Sequence, residues 1–166
     1  MNDSLILVEV FAPTSGNDLH LRDGVLAIAL DQRVFGPRRL LVGFGTTDGD
    51  LLVLAHARRT DPPDLAFEAC LEQCARGART AVAFCDEPVE LDVDVRAVLT
   101  RLAEARELAA AYGVHLVDWV ACDDTRMRFF SRIEGADEEW WTVPPTLQPA
   151  RRPGRLRAVR LPGHEW

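Results

Sequence analysis

The sequence contains no lysine; all 19 basic side chains are arginine. That absence excludes a Walker A phosphate loop, whose lysine reaches the β/γ-phosphates. It excludes Schiff-base chemistry on this chain, because only a lysine amine supplies it. It also removes lysine side chains as acceptors for acetyl groups or ubiquitin-type tags. Tyrosine occurs once, methionine twice, and asparagine only at Asn2 and Asn17. These residues have AT-rich codons, and their joint scarcity is the signature of a GC-rich genome.

Long apolar runs are missing as well. No stretch approaches the roughly 20 apolar residues that cross a bilayer. The start, Met1-Asn2-Asp3-Ser4, has no basic segment leading into an apolar core, so the reading is a cytoplasmic chain with no membrane association. The four cysteines, Cys70, Cys74, Cys85 and Cys122, form no C-x-x-C pair, which argues against a zinc knuckle. They are read as buried thiols in a reducing compartment.

What is present suits one globular domain. The chain has 166 residues, 48% of them hydrophobic and 27% charged. That length matches the usual size of about 100–200 residues per domain. The net charge of -7 disfavours nonspecific nucleic-acid binding over the whole surface. The charge is uneven, however. Arg151, Arg152, Arg155, Arg157 and Arg160 crowd a short C-terminal stretch that carries Glu165 as its one acid.

The hydrophobic period divides the chain. Leu5–Phe11, Val25–Leu30, Leu40–Phe44 and Leu51–His56 are short apolar runs separated by turn residues, and predict an antiparallel set of strands. Thr60-Asp61-Pro62-Pro63-Asp64 is a helix start, with a capping side chain and proline in the first turn. Leu65, Ala69, Leu71 and Ala75 are the expected buried stripe of that helix, with Gly77 at its end. Thr80–Cys85 predicts a buried strand, and the acidic stretch 86–94 with Pro88 a loop at its C-terminal end. Asp94–Tyr112 has the firmest helical spacing: Val95, Val98, Leu99, Leu102, Ala105, Leu108 and Ala109, then Gly113. Val114–Ala121 predicts a strand, Asp123-Asp124-Thr125 a turn, and Met127–Ile133 a returning strand. Residues 1–134 are taken as one α/β domain, and 135–166 as a Trp/Pro/Arg-rich extended tail packing on it or extending from it.

Within this layout, Leu99-Thr100-Arg101-Leu102, the alanine-rich helix, Gly113-Val114-His115-Leu116-Val117-Asp118-Trp119-Val120 and Arg128-Phe129-Phe130-Ser131-Arg132 resemble the RadC/JAB family. These are the prokaryotic members of the MPN fold, of JAMM type. Gly45-Thr46 is similar to the pair before the family's first helix. A second similarity, to an actinobacterial group with a "G-V-x-(L/V)-(L/V)-D" strand and a "W-W-S" hairpin, rests on the same residues. The RadC/JAB resemblance implies a mixed, mostly antiparallel sheet flanked by two main helices. It also implies a zinc hydrolase site, built on an H-N-H-P-S-G motif after a strand and on a later aspartate.

This chain departs from that motif. Cys85-Asp86-Glu87-Pro88-Val89-Glu90 stands where the motif belongs, and only the proline is kept. Both histidine ligands are gone, and with them the donors best suited to neutral-pH zinc hydrolysis. The resulting expectation is a pseudoenzyme: a RadC-like binding or scaffold protein with no cofactor, working through a protein partner or as a homo-oligomer. Its recognition surface would comprise Asp86, Pro88, Asp118 and Trp119, with Trp140, Trp141, Arg151, Arg152 and Arg155 from the tail.

Two alternatives stay open. One is a metal-dependent amidase or isopeptidase in which Cys85, Glu87 and Asp94 (or Asp92) hold zinc, with Glu87 or Asp118 in acid–base roles. Cys85 and Glu87 keep the i, i+2 spacing of the lost histidines. The other is a nucleic-acid-associated RadC-like protein, binding through the arginine-rich tail. Cys85 as a nucleophile with His56 or His115 as base is a lesser reading. Asp118, inside an apolar strand, must have hydrogen-bond partners if it is buried.

Overall fold

The short apolar runs become strands, and their period-2 alternation decides which side chains share a face. The structure, a computed structural model, describes residues 6–13, 38–123, 126–134 and 156–159. In chain order its elements are β1 (Val8–Pro13), β2 (Arg39–Gly45), β3 (Leu51–Arg58), α1 (Asp64–Cys74), β4 (Thr80–Asp86), α2 (Val95–Ala110), β5 (His115–Cys122), β6 (Met127–Phe129), α3 (Phe130–Glu134) and β7 (Leu156–Val159). The strands form one sheet in the order β6-β5-β4-β2-β3-β1-β7. Every pairing is antiparallel except β4 with β5, whose crossover is α2. The chain is therefore mixed α/β with a mostly antiparallel sheet, as expected. Part of the predicted tail, Leu156–Val159, adds an edge strand to β1. The predicted strand Val25–Leu30 lies outside the described residues.

Register sets the core. Leu40, Val42 and Phe44 of β2 stand opposite Cys85, Ala83 and Ala81 of β4, and all six are fully buried. Val8 and Val10 of β1 and Ala55 and Ala57 of β3 continue this face, which receives Phe67, Cys70 and Leu71 of α1 and Leu102 of α2. The other face of the same strands, with Leu41, Leu54, Val82, Phe84 and Val120, is buried too. Strands buried on both faces read as continuous apolar runs rather than alternating ones. That is why TAVAFC and LLVGF carry no polar alternation.

The register shifts between β2 and β3 at Phe44/Gly45, and again in β5, where it shapes the site. Ala81 pairs with Leu116 but Val82 pairs with Asp118, so Val117 is an extra residue, a β-bulge. Arg106 of α2 supports it, donating from Nε to the Leu116 carbonyl at 3.1 Å and from Nη2 to the Val117 carbonyl at 3.3 Å. The bulge sends Leu116 and Trp119 to the helix-covered face and Asp118 to the opposite one.

The helix ends follow local chemistry. The Thr60 hydroxyl accepts from the Ala66 N–H at 3.0 Å, and the Asp94 carboxylate accepts from the Ala97 N–H at 3.1 Å. Both helices are left through glycines of positive φ, Gly77 and Gly113, a conformation that other residues adopt only with strain.

Two expectations are corrected. The α1 core stripe is Ala66, Phe67, Cys70, Leu71 and Cys74, while Leu65 is exposed. The helix begins at Asp64, and Phe67 and Leu71 are its largest fully buried side chains. The predicted strand Met127–Ile133 is strand only to Phe129 and then turns into α3. The reason is Asp118, whose carboxylate takes the Ser131 N–H at 2.9 Å and diverts the chain from the sheet. Among the described residues no helix is long and apolar enough to cross a membrane.

Candidate functional site

The loop predicted at the end of β4 carries a cluster built from four elements. Cys85 points to the helix-covered face at the end of β4. Glu87 lies two residues on and returns to the same side, close enough for its charge to act on the Cys85 thiol. Arg101 of α2 meets that carboxylate with both guanidinium arms. Nη1 donates to Oε1 at 2.5 Å and Nη2 donates to Oε2 at 3.0 Å. Trp119 of β5 donates its indole N–H to Oε2 at 3.2 Å.

Aromatic rings close the cluster. The Arg101 Cζ lies 5.7 Å from the centre of the Trp119 ring and 5.1 Å from that of Phe130. Both distances fall within the range of a cation–π contact. Phe67 meets Trp119 edge to face, with ring centres 5.3 Å apart at 86°. The packing is anchored by Leu102, fully buried next to Arg101 in the sequence.

Charge balance follows from this geometry. Burial by itself would raise the pKa of Glu87. The hydrogen bonds and charge of Arg101 outweigh it, with Cys85 and Trp119 adding to them, and hold the carboxyl below its ordinary range. Arg101, in turn, is driven up by Glu87 despite its own desolvation. Cys85 is displaced the other way. Burial first, and then the neighbouring Glu87 charge, push its thiol far above the ordinary value. Burial likewise pushes Cys74 and Cys122 up to about 12. A protonated, buried thiol is a hydrogen-bond donor and not a nucleophile. The expected result is that a disulfide thiol reagent at mildly alkaline pH labels native protein slowly, and reaches all 4 cysteines only in concentrated urea. Rapid labelling of Cys85 in the native state would contradict this assignment.

The other predicted residues take separate places. Asp86 accepts from the Arg38 N–H at 2.6 Å through Oδ2, and its carbonyl accepts from Arg59 Nη1. The loop is tied to β5 and the following turn. Glu87 N–H donates to the Cys122 carbonyl at 3.0 Å, and Val89 N–H donates to Asp123 Oδ2 at 3.0 Å. Pro88 is exposed on this loop. Asp94 is the N-cap of α2. Asp118 is buried on the opposite face, where it accepts from the Ser131 N–H and from the Ser131 hydroxyl at 2.5 Å. Trp140, Trp141, Arg151, Arg152 and Arg155 lie outside the described residues.

The proposed zinc donors therefore divide. Cys85 and Glu87 are brought together, but Asp94 is engaged with its helix. Among the described residues no group of three or more His, Cys, Asp or Glu side chains could hold a metal ion. Both oxygens of Glu87 already face Arg101, so the donor set does not fit zinc as placed. Three members of the cluster were absent from the sequence-derived candidates: Arg101, Phe67 and Phe130. Arg101 had a signal. It lies three residues after Val98 and four before Ala105, on the apolar stripe of α2, where a charge needs a buried partner.

Comparison with protein-family models, with curated proteins and with solved structures gave no match to this chain.

Proposed function

We propose that this chain is a non-catalytic binding protein of RadC/JAB type, whose recognition surface is the loop after β4, around the exposed Pro88; Trp119, expected on that surface, is buried and supports it from the core. The observation that supports this reading is the pairing of Glu87 with Arg101. In a zinc hydrolase of that kind, an acidic residue must be free to take a proton from metal-bound water. Here the carboxylate at the equivalent strand end is held ionised by a two-armed guanidinium and an indole N–H, and its cysteine neighbour is a buried thiol. An organic cation stands beside the residues a metal would need. The partner in this reading is a protein or a second copy of the chain.

The test is elemental analysis of full-length protein purified without a tag, repeated on Cys85→Ser and Glu87→Gln. The expected result is sub-stoichiometric zinc that neither substitution changes. One zinc per chain, lost on both substitutions, would overturn the reading in favour of a metal-dependent amidase.

A further inference from the structure

The cluster around Arg101 has the composition of a receptor for an organic cation. A guanidinium is planar, carries its donors in a rigid fork, and stacks on aromatic faces. Its best host is a carboxylate that accepts two parallel N–H bonds, set in a desolvated site with aromatic rings on its flanks. Glu87 supplies both oxygens, and Trp119 and Phe130 supply the rings. The host is organised independently of Arg101. The Glu87 backbone is held by the Cys122 carbonyl, and its Oε2 by the Trp119 indole. Trp119 is fixed in turn by Phe67, and Phe130 is buried at the start of α3.

The guest is the least enclosed member. The Arg101 side chain is 38% exposed, against 15% for Glu87. Its backbone is pinned by Leu102, so a change of rotamer would vacate the site without moving α2.

We propose that Glu87, Trp119 and Phe130 form a guanidinium-binding site, closed in the free chain by its own Arg101. The ligand it takes is an arginine side chain presented by a partner peptide, which enters as Arg101 swings out. Arg101 is thus an internal competitor that keeps the site shut to weak ligands. This inference deepens the binding reading of the same strand end, and its test is separate: zinc content decides that reading, and guanidinium binding decides this one.

The experiment uses full-length Arg101→Ala protein titrated with ethylguanidinium, which mimics the missing arginine head. Saturable binding is expected, with a Kd on the order of 1 mM. At tenfold that concentration the melting temperature should rise by about 3–5 °C. Ethylammonium, a point charge without the fork, should bind at least about tenfold more weakly. Wild-type protein and Arg101→Ala/Glu87→Gln should show no saturable binding over the same range. If Arg101→Ala does not fold unaided, its refolding yield with and without ethylguanidinium gives the same readout. The proposal is overturned if ethylguanidinium neither binds nor rescues Arg101→Ala. It is overturned equally if the double variant responds as strongly, or if ethylammonium serves as well.

Discussion

Trp119→Ala is expected to destabilise the protein by about 4–5 kcal/mol, the upper part of the range for removing a buried aromatic side chain. Three losses act together. Trp119 is buried in the core cluster, so truncation leaves a cavity bounded by the edge of Phe67. Its indole N–H no longer reaches Glu87, and Arg101 loses one of its two aromatic faces. The aromatic pair and the hydrogen bond are each worth about 1 kcal/mol. Urea unfolding followed by circular dichroism would measure the change. Trp119→Phe separates the contributions: it keeps one aromatic ring while losing the indole N–H and part of the ring volume, and should cost about 1–3 kcal/mol. A loss below about 2 kcal/mol for the alanine variant would show that this ring is not part of the core.

The second large effect is expected at Asp118, on the opposite face. Asp118 and Ser131 are both buried, at 0% and 2% exposure, and two donors of Ser131 converge on one carboxylate. Asp118→Ala strands a buried N–H and a buried hydroxyl, each costing about 1–3 kcal/mol. The expected loss is therefore about 2–6 kcal/mol. Ser131→Ala alone removes one donor and should cost less. The coupling in the double-mutant cycle should exceed about 1 kcal/mol, because the two residues share one interaction. Additive losses would contradict the geometry. Asp118 receives both Ser131 donors where β6 passes into α3.

These two residues also show where sequence reasoning stops. Val117-Asp118-Trp119-Val120 reads as strand on composition alone, and it is strand. Strict alternation, however, would place Leu116 and Asp118 on one face and Trp119 on the other. The extra residue Val117 reverses that assignment, and the carbonyls it displaces are satisfied by Arg106 of α2. No local pattern announces a bulge that a distant helix supports. The same holds for Phe130 and Ser131, which look like a continuing strand until Asp118, 13 residues earlier, takes the Ser131 N–H.

The strand-end loop was legible, and so was the shared side of Cys85 and Glu87, because i, i+2 spacing at the end of a strand is a local property. The partner of Glu87 was not. Metal-like spacing drew attention to the carboxylates, while the group that meets Glu87 is an arginine on α2.

By itself, then, the sequence determined the alternation of elements, the helix start at residues 60–64, the glycine exits at Gly77 and Gly113, and the loop after β4. Each of these depends on neighbours within a few residues. Only the tertiary structure decided that Trp119 faces α2, that Asp118 holds α3, and that Glu87 is bound to Arg101. The Glu87 contacts span 14 residues to Arg101 and 32 to Trp119. They exist because the parallel pairing of β4 with β5 brings the ends of both strands beneath α2. Contacts of that range depend on register and on one bulge, and a one-residue slip in either would turn the cluster apart.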